Sequence, residues 1–180
     1  MELQLTDADK LAYFQQNFFT LDGLWMVVLE EWLGLEKTLK IDMQVWERFF
    51  PTVYRRIARY LKITTQTVED FIKVLGFRWI AEGWGFTIEE VSPKLARVRI
   101  EKGGCPYNAA LERAQRLDKA PHICNENCER LYQIAVNTFN PAIQMHRTKR
   151  QGNGDDWCDF LFELPDSGGK QAIPKKVKQQ

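Results

Sequence analysis

Cysteine is missing from the first hundred residues of this 180-residue chain, and all four copies lie in the last half. Histidine is nearly absent, with only His122 and His146. So few imidazoles exclude a histidine-rich metal site and leave little choice of histidine base. Long apolar runs are also lacking. The most apolar window, residues 21–35, is broken by Asp22, Glu30 and Glu31 and is too polar to span a membrane. No excess of one charge exists: 25 basic and 24 acidic residues leave a net charge of +1. Such balance gives no argument for nucleic acid as a partner. No internal repeat and no coiled coil is apparent, and the N-terminus lacks the basic and apolar regions of a signal peptide. The expectation is a cytoplasmic protein, in which cysteines serve as thiols or metal ligands more often than as disulfides.

What is present supports a sizeable core. Hydrophobic residues make up 44% and aromatics 12%, and a chain of this length buries roughly 70% of its unfolded surface. Leu11, Phe14, Phe18 and Leu21 recur at helical spacing behind a Thr6 or Asp7 cap. A second helix is expected over Leu24 to Trp32, ending near Gly34. Asp42 reads as the N-cap of a third, with Val45, Trp46, Phe49 and Phe50 behind it and a kink or new start at Pro51. Thr64 or Thr65 begins another, bearing Val68, Phe71, Leu75 and Trp79.

Beyond Gly83 the period changes to two. Phe86 and Ile88, then Ala96, Val98 and Ile100, alternate with polar residues around Ser92-Pro93, which predicts an antiparallel hairpin. Helices follow over residues 107–117 and 124–136. A second hairpin joins residues 141–147 to 157–164 through Gln151-Gly152-Asn153-Gly154. The pattern predicts an α+β fold, with N-terminal helices packed on a four-stranded antiparallel sheet built from two hairpins with intervening helices. Residues 1–164 form one domain in this reading, helical over 1–82 and carrying sheet and cysteines over 83–164. Residues 165–180, with Lys170, Lys175, Lys176 and Lys178, are expected to be a disordered basic tail.

The cysteines carry the chemical question. Cys124 and Cys128 are four apart and share a helical face. Cys105 leaves a strand end, and Cys158 begins the last strand. A sheet with helices packed at one end brings all four together, which suits soft thiolate donors to zinc or an iron–sulfur cluster. The spacing is not the C-x₂-C of common zinc ribbons. Three readings stay open on spacing alone: a metal site at Cys105, Cys124, Cys128 and Cys158, a reactive thiol, or buried sulfur in the core. For the reactive-thiol reading, Cys105 and Cys124 each sit near an expected helix N-terminus, whose dipole lowers a thiol pKa. His122, two residues before Cys124, is a candidate base; His146 on a strand is more simply a surface residue. Trp25 and Trp46 are candidates for the floor of an apolar ligand pocket, with helix packing the plainer reading.

Three C-terminal motifs point further. The Cys105-Pro106-Tyr107 step, the Cys124-x₃-Cys128 pair and the closing Gly154-Asp155-Asp156-Trp157-Cys158-Asp159-Phe160 resemble the L-2-amino-thiazoline-4-carboxylic acid hydrolase domain family. The Leu21-Asp22-Gly23-Leu24-Trp25 stretch and the Val45-Trp46-Glu47 step extend the resemblance to residues 18–164. The pattern is also similar to vinyl-reductase-type ligand-binding domains. The resemblance implies hydrolytic opening of a thiazoline ring at a C–N bond, with a small-molecule substrate, and a cysteine site suspected of holding zinc or an iron–sulfur cluster. Another class remains beside it: a non-enzymatic sensor domain whose tryptophan-rich helices form a pocket or a homodimer surface.

Overall fold

The computed structural model describes residues 4–165, so all but the first residue of the tail expected over 165–180 lies outside the described residues. Three helices lead the chain: α1 (Asp7–Leu33), α2 (Leu35–Tyr60) and α3 (Val68–Glu82). A hairpin of β1 (Phe86–Val91) and β2 (Leu95–Ile100) follows, then α4 (Pro106–Arg113). Next come a single turn, α5 (Ala120–His122), a π-helical segment (Ile123–Cys128) and α6 (Glu129–Phe139). Strands β3 (Gln144–His146) and β4 (Cys158–Glu163) close the fold. The sheet is wholly antiparallel, in the order β1-β2-β4-β3. The α+β fold with two hairpins stands as the sequence predicts.

Local chemistry explains the helix ends. Thr6 caps α1 in a reciprocal box: the Asp9 N–H donates to Thr6 Oγ1 at 3.1 Å, and the Thr6 N–H to the Asp9 carboxylate at 2.9 Å. The two helices expected before Gly34 are one, because Gly23 sits inside an otherwise apolar run and nothing there stops propagation. Gly34 ends α1 with φ 78°, a left-handed backbone that suits glycine. Helix α2 restarts at Leu35 and runs through Pro51. Asp42 is therefore not a cap; it lies two turns inside a helix, a difference with functional weight below. Thr67, rather than Thr64 or Thr65, caps α3.

Helix α3 is the axis of the core. Val68, Phe71, Val74, Leu75 and Trp79 are completely buried. Ala96, Val98 and Ile100 of β2 and Phe160 and Phe162 of β4 point to the same side, as a period of two requires. Phe71 meets Phe162 edge-on at 5.1 Å, and Tyr132 of α6 meets Phe160 at 4.5 Å. The buried Trp79 indole N–H donates to the Tyr132 hydroxyl at 2.9 Å, satisfying both polar groups. One face of the sheet is covered by α3 and α6. Arg97, on the other side of β2, is exposed.

Helix α1 departs from expectation. Phe19 is its only buried residue. Leu11, Phe14, Leu21, Trp25 and Trp32 are 50%, 68%, 60%, 61% and 79% exposed, so the stripe expected in the core faces outward. Among the described residues no helix is long and apolar enough to cross a membrane.

Candidate functional site

Helices α1, α2 and α4, the π-helical segment and the start of α6 enclose a cavity of about 440 Å³. Its walls are mostly apolar: Phe19, Met26, Leu39, Met43, Trp46, Leu111 and Leu131 border it. Polar groups interrupt them: Asp22 of α1, Asp42 of α2, Arg78 of α3, Tyr107 and Asn108 of α4 and Asn127, with the Glu30–Arg116 ion pair and Arg113 also on the wall. Cys105, Cys124 and Cys128 supply sulfur to the same wall. An apolar chamber of this size with a handful of polar groups suits a small molecule.

Both carboxylates are raised above their ordinary values. Burial pushes Asp42 up to about 6, the charge of Asp22 adds to the rise, and polar contacts from Trp46 and Asn127 oppose it. Asp22 is raised as well, first by burial and then by the charge of Glu82, against the pull of Arg78. A carboxyl group near pH 6 exchanges protons readily at neutrality. Asn127 is fixed by its side-chain N–H donating to the Leu39 carbonyl at 3.1 Å.

Arg78 is 3% exposed. Its Nε–H donates to Glu82 Oε1 at 2.6 Å, and the guanidinium carbon lies 4.9 Å from the Trp46 ring centre and 5.1 Å from that of Phe50. Both terminal nitrogens, Nη1 and Nη2, are buried without a hydrogen-bond partner. The buried hydroxyls of Tyr54 and Tyr107 likewise have none.

All four cysteines are unpaired thiols in one region. Their charges act on one another: Cys128, Cys158 and Cys124 each help raise Cys105, after burial as the main cause, to about 12. Burial likewise pushes Cys124 up to about 11, and Cys158 is raised for the same first reason. The dipole argument for reactive thiols is therefore corrected. Cys105 does stand at the N-cap of α4, but burial outweighs the helix end. Cys124 is not at a helix start at all; it lies within the π-helical segment of a run continuous from Ala120 to Phe139. That segment is where Cys124 and Cys128 present their sulfurs to the cavity, and π-helical turns recur at functional sites.

The metal expectation meets a different arrangement. Buried Arg147 donates from Nη1 to Cys128 Sγ at 3.3 Å, and the Gln151 N–H donates to Cys158 Sγ at 3.2 Å. A guanidinium beside the sulfurs opposes a dication electrostatically and engages one donor atom. Among the described residues, no group of three or more His, Cys, Asp or Glu is placed to hold a metal ion. As placed, the donor set does not fit zinc or a cluster. Gly152 makes the packing tight: a Cβ there would lie 2.4 Å from Cys124 Sγ and 2.7 Å from the Ala120 carbonyl oxygen.

The other expected site residues are placed as follows. His122 is exposed, and its charge acts on Glu36 of α2. His146 is at the surface of edge strand β3, with Nε2 3.7 Å from Glu163, as the plainer reading had it. Trp46 borders the cavity, but Trp25 is 61% exposed and faces away from it. Sequence reasoning missed Asp22, Asp42 and Arg78. Their signal was a charge set into an apolar stripe: Asp22 between Phe19 and Met26, Asp42 between Leu39 and Trp46, Arg78 after Val74 and Leu75.

No curated protein sequence matches the chain significantly. The model of the L-2-amino-thiazoline-4-carboxylic acid hydrolase family matches residues 14–162, from the second turn of α1 into β4 and including every residue that lines the cavity, and the chain belongs to that family.

Proposed function

We propose that the chain is a hydrolase that opens a ring C–N bond of a small cyclic amidine, an amino-thiazoline carboxylate, inside the helical cavity. The observation that carries this reading is the pair of half-buried carboxylates, Asp22 and Asp42, inside a largely apolar cavity. The family name supplies the substrate class, and the chamber supplies groups suited to it.

Ring opening requires water to add to the amidine carbon. The Asp42 carboxylate accepts a proton from that water, and the new C–O bond gives a tetrahedral carbon. Collapse breaks the ring C–N bond, and the carboxyl group returns its proton to the departing nitrogen. One water is consumed. The products are a free amine and a thiocarbamate carbonyl within one molecule. Asp22, raised by burial and by the charge of Glu82 and drawn down by Arg78, is the second carboxyl group on the same wall.

The cysteines do not act as the nucleophile in this scheme. Thiols raised to about 11 and 12 hold almost no thiolate at neutral pH. They line the wall as weak donors, and no step passes through a metal.

Turnover of 2-amino-thiazoline-4-carboxylate by the purified protein tests the reading, with product followed by mass spectrometry. Wild type and Cys105→Ser are expected to release the ring-opened product, and Asp42→Asn to fall by ~10²–10⁴-fold, the range of a general base. Full activity in Asp42→Asn, or complete loss in a folded Cys105→Ser, would contradict it. Ligand binding without any turnover would favour the sensor class instead.

A further inference from the structure

We propose that Arg78 and Tyr107 form a carboxylate anchor, so that the cavity selects zwitterions carrying a carboxylate at one end and a cation at the other. This deepens the hydrolase reading of the same cavity and rests on it for the substrate's ring. A guanidinium that is 3% exposed, with Nη1 and Nη2 both unpartnered, is an expensive group to leave unanswered. Buried polar groups in folded proteins find partners in protein, water or ligand. Here the protein supplies Glu82 on Nε and brings the Tyr54 hydroxyl near the guanidinium, yet neither Nη1 nor Nη2 makes a hydrogen bond of good geometry. The flat edge of those two nitrogens has the geometry of a bidentate carboxylate contact. Trp46 and Phe50 flank the guanidinium and hold its plane, while the unpartnered Tyr107 hydroxyl borders the same space.

Charge decides which carboxylates fit. Glu82 already answers the charge of Arg78 and Glu30 that of Arg116, so the two aspartates Asp22 and Asp42 stand against one further lining cation, Arg113. A simple anion would meet net negative charge. A zwitterion brings its own cation to the aspartates while its carboxylate takes the guanidinium edge. Binding of L-proline and pyrrolidine, measured by calorimetry on the full chain, tests this without turnover. Both are five-membered cyclic amines, and only proline carries the carboxylate. Proline is expected to bind roughly 10–100-fold more tightly than pyrrolidine, and more tightly than acetate. Arg78→Met should remove the difference between proline and pyrrolidine. Equal affinities in wild type, no binding of either, or a difference that survives in Arg78→Met would overturn the anchor. The wild-type comparison decides even if the variant fails to fold. Selectivity without ring opening would sink the hydrolase reading alone, and ring opening without selectivity would sink the anchor alone.

An independent observation concerns the outer face of α1. Leu11, Phe14, Phe18, Leu21, Trp25, Val28 and Trp32 alternate at spacings of three and four, the a/d pattern of a helix seam. Every one is at least 36% exposed, although the inner face of the same helix walls the cavity. Their combined exposure equals roughly four whole side chains, on the order of 800 Å² at ~200 Å² each, which matches the ~800 Å² per partner of a stable interface. We infer that a second copy of this chain covers the seam in a two-fold dimer. A self-complementary stripe suits a two-fold contact. Helix α1 carries Asp7, Asp9, Asp22, Glu30 and Glu31 against one Lys10, the wrong sign for an anionic membrane. Light scattering on the eluting protein is expected to give twice the 21.1 kDa chain mass. Trp25→Glu with Trp32→Glu should give the single-chain mass with unchanged helix content. A wild-type monomer at about 10 µM, or a dimer that survives the double variant, would overturn it. So would binding to phosphatidylserine vesicles in place of dimerisation.

Discussion

Replacing Asp42 by Asn should make the protein more stable while destroying its activity, and the gain should depend on pH. Asp42 has an ordinary value of 3.8 when unfolded and about 6 in the fold. A raised carboxyl favours the unfolded state wherever that state is ionised and the folded one is not yet, so its cost is absent well below pH 3.8 and grows until pH passes 6. At about 1.36 kcal/mol per unit, the full cost is about 3 kcal/mol, reached near pH 7.5, and only about 1 kcal/mol at pH 4.5. Asn keeps the shape and never ionises. Urea unfolding of wild type and Asp42→Asn at the two pH values measures the difference directly. The variant should lead by about 1 kcal/mol at pH 4.5 and about 3 kcal/mol at pH 7.5, the latter worth ~6–12 °C in Tm for a chain of this size. A variant less stable than wild type at pH 7.5, or a lead independent of pH, would refute the burial argument. The carboxyl would then be solvated, and the cavity would lose its base.

Cys105 and Cys124 should react with iodoacetamide on the order of 10²–10³ times more slowly than free cysteine at pH 7.5, since burial holds both as thiols; mass mapping after a timed exposure checks this, and labelling at the free rate would contradict it. Gly152→Ala should cost about 1–3 kcal/mol, because its Cβ would overlap Cys124 Sγ at 2.4 Å and neighbouring backbone must move. Thermal melting measures that loss, and an unchanged Tm would show that the loop yields freely. Trp79→Ala should cost about 3–5 kcal/mol, as it empties the centre of the core and orphans the Tyr132 hydroxyl; denaturant unfolding reads the loss, and one below about 1 kcal/mol would show that the core refills the space.

The sheet was legible because alternation is local. Ala96, Val98 and Ile100 face one way whatever packs on them, so the strands and the two hairpins follow from the sequence, while the β2–β4 pairing that joins the hairpins does not. Helix α1 was harder. Its apolar residues surround the helix, and periodicity alone cannot say which face meets the rest of the same chain. Leu11, Phe14 and Leu21 looked like core and are surface. The cysteines were correctly grouped by motif, yet grouping does not fix ionisation. Burial and the Arg147 guanidinium, neither of which the cysteine spacing reveals, act on the ionisation of those sulfurs. Asp42 shows the same limit from the other side. As an N-cap it would be solvated and unremarked; two turns inside α2 it becomes a half-buried acid, and only the fusion of the restart at Leu35 with the rest of α2 puts it there.

The account rests on Asp42 acting as the base of ring opening, and the pH dependence of kcat/KM with 2-amino-thiazoline-4-carboxylate tests that most directly. Activity needs the ionised carboxylate, so the rate should hold steady above pH 7 and fall tenfold per unit below about 6, with Asp42→Asn lacking both the rate and the limb. A flat profile down to pH 5, or a limb near 6 that persists in an active Asp42→Asn, would contradict the account.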